Sequence, residues 1–169
     1  YNTNFSRLKF KDLDVLELWK KFDSVSVGAS LDASGGRAEF MRKGTKWHET
    51  IANRKRMLEV CPHVDFYISA TVGLINAIHV ADFHKEWCDL GYIKPADFNF
   101  NLLQFPHWQR IDLAPSWFKD RITQKYQTHL EWLRPLDPLT RATKGFESAL
   151  DYMMRRDNSK DLDQFKDGM

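Results

Sequence analysis

Ser30, Asp32, Arg37 and Arg42 place a hydroxyl, a carboxylate and two guanidiniums in one short stretch. They follow Val25 to Ser30, an apolar, β-branched run without charge that reads as a buried strand. Ser30 and Asp32 are two apart, so on a regular strand they share a face. A glycine-containing turn then carries Arg37 and Arg42 back over the strand end before a helix begins near Lys46. In α/β proteins ligands bind at the carboxyl ends of parallel strands, and this set of groups suits a polar ligand there. The alternative for the same residues is structural: Asp32 caps its loop or the next helix, and Ser30 satisfies backbone groups.

The segment Ser30-Leu31-Asp32-Ala33, with Arg42-Lys43-Gly44 and Trp47 behind it, resembles the fourth barrel strand and exit loop of the radical S-adenosylmethionine superfamily, in particular its phage and marine-microbe members. Tyr1-Asn2-Thr3-Asn4 is similar to the end of the preceding strand, with Phe5 where the family has glycine. Ile68-Ser69-Ala70-Thr71 and Asn76 resemble the following strand and its exit. The resemblance covers about residues 1–135 and implies a (β/α) barrel in which Ser30, Asp32, Arg42, Thr71, Asn76 and Leu103 face S-adenosylmethionine. It also implies a four-iron four-sulfur cluster held by three cysteines spaced C-x3-C-x2-C. This chain has only Cys61 and Cys88, far apart, so the cluster is expected only in a full-length parent and the nucleotide binds the fragment weakly or not at all. The expected piece lacks the first two or three strands of the barrel.

Thr71 and Asn76 flank a strand exit where an amide can bond a carboxylate or a ribose hydroxyl, although Asn76 equally suits the N-cap of the helix that follows. Ser34-Gly35-Gly36-Arg37 has the composition of an anion-cradling turn, but no Lys-Ser/Thr follows as a phosphate loop requires, so a plain turn is expected. His84 and Cys88 are four apart on a predicted helix, while His79 lies about 140° around it from His84. No second ligand pair completes a zinc site, and no metal is expected. No Gly-x-Ser-x-Gly elbow or histidine partner makes Ser30 a nucleophile.

The elements that must position these groups alternate. Helical spacing spans Lys11 to Lys21, then Trp47, Ile51, Arg54 and Leu58 share a stripe ending before Pro62. Val64 to Thr71 reads as a strand, Ile75 or Asn76 to Leu90 as a helix closed by Gly91, and Asn99 to Leu103 as a third strand. Helices are predicted from Pro115 to about Leu133 and from Leu139 to Arg156, with a charged, fraying tail from Asp157. The spacing calls for right-handed parallel βαβ units, since the two-residue turns of hairpins are missing.

At 169 residues the chain supports one core but falls short of the ~250 residues of a full barrel. A net charge of +2 argues against nucleic acid or an anionic membrane as partner, and no run reaches the about 18 apolar residues of a spanning helix. Two cysteines suit a reducing compartment, and the cytoplasm is expected. The expected architecture is therefore α/β: a partial (β/α) TIM-type barrel of about four parallel strands over 1–135, with a C-terminal helical extension over 136–169. Half a barrel exposes strand edges and an inner face expected to be apolar, to be covered by a second copy in a homodimer or by the Trp108 to Leu133 segment. The alternative function is an autonomous, non-catalytic module that binds a small ligand or partner at the same strand mouths.

Overall fold

The computed structural model describes residues 1–168. Its centre is a four-stranded, wholly parallel sheet made of β1 (Asn2–Thr3), β4 (Ser26–Ala29), β5 (Asp65–Val72) and β6 (Phe98–Leu102), side by side in chain order. Between them run α1 (Val15–Trp19), α2 (Gly35–Met41), α3 (Trp47–Val60) and α4 (Val80–Asp89); α5 (Ser116–Leu133), α6 (Arg141–Arg155) and α7 (Asp163–Asp167) follow. The α/β class and the four parallel strands agree with the sequence reading.

The period-two alternation of β5 decides which face is covered. Phe66, Ile68, Ala70 and Val72 are buried, while Asp65, Tyr67, Ser69 and Thr71 point to the other side and keep access to solvent. Helices α3, α4, α5 and α6 pack on the first face. Trp87 of α4 stacks on Phe66, Phe83 meets Phe98 edge-on, and Phe146 of α6 packs on Phe98 and Phe100. Each such buried ring contributes about 1.5–3 kcal/mol by leaving water. Arg54 of α3 is buried too, with its guanidinium 4.1 Å from the Phe66 ring centre and Nε donating to the Tyr92 carbonyl at 2.8 Å. Burial lowers its pKa to about 10.

The opposite face is open and polar. Ser26, Tyr67, Ser69, Asn99 and Asn101 occupy it, tied by bonds from Ser26 Oγ to Asp65 (3.1 Å) and from Asn101 Nδ2 to Ser69 Oγ (3.0 Å). The Tyr67 ring lies across Gly28, where a Cβ would stand 2.8 Å from its hydroxyl. The expected apolar inner face is thus corrected to a polar one. The segment from Trp108 to Leu133 does not cross it, because the apolar stripe of α5, with Ile122, Tyr126 and Leu130, has its matching surface on the helical side.

Several local expectations change. Lys11 to Lys21 is not helical throughout: it begins with the turn and second strand of a short antiparallel hairpin, β2 (Lys9–Phe10) with β3 (Leu13–Asp14), and only then forms α1. Its turn uses Lys11 at φ 53° in place of the glycine or asparagine that would have signalled it. Asp14 caps α1 through the Leu16 N–H and also receives the Arg56 guanidinium. Leu58 is exposed, and α3 turns Thr50, Arg54 and Met57 inward. Helix α4 starts at Val80, after a turn over residues 73–79, and ends as expected at Gly91, φ 69°. The tail is anchored: Asp157 takes the Lys119 ammonium at 2.5 Å, and Asn158 donates to the buried Asp112 at 2.7 Å.

Candidate functional site

Past Ala29 the chain leaves β4 in a tight bend, with the Leu31 N–H on the Ala29 carbonyl at 2.9 Å. Leu31 and Ala33 are buried on either side of Asp32 and pin its carboxylate at the sheet's carboxyl edge. Asp32 is 7% exposed, yet both oxygens are satisfied. Oδ2 accepts from Arg42 Nε at 2.7 Å; Oδ1 accepts from Arg42 Nη2 at 3.1 Å and from the Thr71 N–H at 2.8 Å. This two-point geometry matches the fork of the guanidinium to the carboxylate. It leaves Arg42 Nη1 with no partner among the described residues.

Arg42 reaches that position because α2 intervenes. Ser34 to Arg37 is no free turn: Gly35, at φ 59°, opens a seven-residue helix whose carboxyl end turns extended at Arg42, sending the side chain back over β4. Arg37 extends only to the Ile75 carbonyl, at 3.5 Å.

Asn76 is fully buried and ties the exit of β4 to the end and exit of β5. Its Nδ2 donates to the carbonyls of Asp32 (2.8 Å) and Thr71 (3.0 Å), and its Oδ1 accepts the Gly73 N–H at 2.9 Å. It caps this turn, while the N-cap position of α4 belongs to His79. Gly73 is required by contact, since a Cβ there would stand 2.5 Å from the Gln109 carbonyl and 2.8 Å from Leu103 Cδ2. The short helical turn His107–Gln109 straps this point through the Leu74 N–H, 2.7 Å from Gln109 O.

These contacts enclose a cleft of about 290 Å³ lined by Asp32, Arg42, Thr71, Asn76, Leu103 and Gln109, with Met41 and Leu74 as apolar wall. Five of the six residues singled out in the sequence therefore meet in one cleft. Ser30 does not line it; its N–H continues the ladder to the Thr3 carbonyl at 2.8 Å. Gln109 and Met41 were missed, having no motif and arriving through long-range folding. Phe5 occupies the left-handed region, φ 56°, that a glycine would favour, and is held there by complete burial against Phe66 at 5.0 Å.

Cys61 and Cys88 are both free, and burial pushes the Cys88 thiol up to about 12. Among the described residues no three His, Cys, Asp or Glu side chains converge as metal ligands. His84 pairs with His129, not with Cys88. Comparison of the chain with protein-family models, curated proteins and solved structures gives no match.

Proposed function

We propose that the cleft at the carboxyl ends of β4, β5 and β6 binds the nucleoside part of S-adenosylmethionine, and that this chain is one wall of a radical S-adenosylmethionine barrel. The observation that carries the reading is the meeting of Asp32, Arg42, Thr71, Asn76 and Leu103, delivered from three separate strand exits, in one cleft. Arg42 Nη1 and the Thr71 hydroxyl are polar groups for a carboxylate or ribose, while Met41, Leu74 and Leu103 suit the flat face of a base.

The sheet supports the same reading. Parallel sheets are almost always covered on both faces, and this one presents a polar face and an unpaired β6 edge. Both are what further barrel strands would cover, with the polar face turned to a ligand-bearing lumen. A second copy pairing along β6 would satisfy the same edge; we extend the proposal to such a homodimer, through the edge and not through the face.

Two cysteines cannot supply three thiolates, so the chain is proposed to bind without generating a radical. Calorimetric titration with S-adenosylmethionine or S-adenosylhomocysteine should show weak binding that Arg42→Ala abolishes. Absence of heat at millimolar ligand would overturn the proposal. The second reading, a module that binds another ligand or partner, is favoured by one observation: Asp32 and Arg42 already neutralise each other. Binding that survives Arg42→Ala would point to it.

A further inference from the structure

A second concavity, independent of the strand mouths, lies between α4 and α5 and has a volume of about 500 Å³. Its inner end is His129, 6% exposed and part of a buried imidazole pair. The hydrogen bonds of that pair set its tautomers. His84 Nε2 is 3.0 Å from the Pro95 carbonyl, which can only accept, so Nε2 carries the proton. In the neutral ring Nδ1 is then an acceptor, and His129 Nε2, 3.0 Å away, must be its donor. Burial holds both rings neutral, with pKa values lowered to about 3 and about 4. His129 is left with a bare Nδ1 lone pair that meets no protein donor among the described residues, on a residue that lines the groove.

Along α5 the lining divides. Trp132 lies next to His129, with ring centres 5.0 Å apart, whereas Lys125 and Arg121 follow one and two turns toward the amino end. Lys125 is paired with Asp82, and Lys85 is paired with Asp89 and lies over the Trp132 ring at 5.0 Å from its centre, but Arg121 makes no hydrogen bond or ion pair among the described residues. An acceptor beside an aromatic wall and an unpaired cation thus stand about 12 Å apart along the helix axis, less the reach of the arginine side chain. A complementary ligand has a planar end carrying an N–H or O–H donor and an anionic end several ångströms away.

We infer that the α4–α5 groove is a binding site for a purine mononucleotide or a molecule of that chemistry, with an exocyclic amine on His129 Nδ1, the base taking the place of the Lys85 ammonium over Trp132, and the phosphate on Arg121. The inference stands apart from the cleft proposed above, since it uses no residue of it.

Adenosine 5′-monophosphate is the probe, followed by calorimetry and by NMR of the His129 imidazole and Trp132 indole signals. Two changes leave the buried pair intact: Arg121→Ala at an exposed position, and an N6,N6-dimethyl analogue that keeps the phosphate but lacks the donor. Each should weaken binding about tenfold or more, the usual scale for losing one charge-assisted or one buried-site hydrogen bond. Arg42→Ala, in the other cleft, should leave the nucleotide-induced shifts of His129 and Trp132 unchanged. No shift of His129 or Trp132 at millimolar nucleotide, or affinity unaltered by both changes, would overturn the inference.

Discussion

Arg42 meets Asp32 side-on, Nε to Oδ2 at 2.7 Å and Nη2 to Oδ1 at 3.1 Å, and the same Oδ1 takes the backbone N–H of Thr71 at 2.8 Å. The carboxylate therefore ties the exit of β4 to the exit of β5, while the guanidinium closes the cleft from above. With Arg42 about one third exposed, solvent screens the pair, and its worth lies below that of a fully buried one. Arg42→Ala is expected to cost about 1–2 kcal/mol in urea denaturation, and Asp32→Ala more, since it also strands the Thr71 N–H. A larger loss for Arg42→Ala than for Asp32→Ala would refute this ordering.

Asn76→Ala should be among the most damaging substitutions near the site. It removes two donors and leaves the buried Gly73 N–H without its acceptor, a loss of about 2–4 kcal/mol on the usual scale of buried polar groups. Hydrogen exchange should localise the loosening to residues 71–77, and uniform protection there would contradict the role assigned to Asn76.

At Gly73, alanine brings a Cβ to 2.5 Å from a backbone carbonyl that has no rotamer by which to retreat. Gly73→Ala should destabilise by about 1–3 kcal/mol as overpacking does, and it should shift the NMR signals of Gln109 and Leu103. A neutral effect would mean that the strap at residues 107–109 yields freely.

The imidazole pair makes stability depend on pH. In the unfolded chain both histidines titrate near 6.5, whereas burial holds His129 down at about 4 and His84 lower still. Between those values the unfolded state binds protons that the folded state refuses, so stability is complete above about pH 6.5 and falls as the pH drops toward 4. Asp82 opposes the depression at His129, and Lys85 and Lys125 reinforce it. Each buried ring contributes at most about 1.4 kcal/mol per pH unit in this window. Urea midpoints measured across it should decline steadily; a flat profile would show that the rings titrate normally.

Much of the scaffold was legible along the chain because it depends on near neighbours. The uncharged, β-branched run ending at Ser30 marks β4, Gly91 marks the end of α4, and Pro115 marks the start of α5. The hairpin at Lys11 and the helix at Gly35 were not legible. One uses a lysine where a glycine would have been the signal, and the other begins with glycines that favour turns.

Asp32, Arg42, Thr71 and Asn76 stand out along the chain as polar groups at strand exits, whereas Leu103 was singled out only through the family resemblance. Their partners came from tertiary structure. Nothing local says that Asn76 reaches the Asp32 carbonyl, that Gln109 straps Gly73, or that His84 finds His129, because each contact joins segments whose distance in space depends on packing of the whole sheet and its helices. The same holds for the open face. Alternation along β5 and β6 separates an apolar side from a polar one, but only the assembled core decides that α3 to α6 take the apolar side, where burying rings yields the free energy that covering Tyr67, Ser69, Asn99 and Asn101 would not.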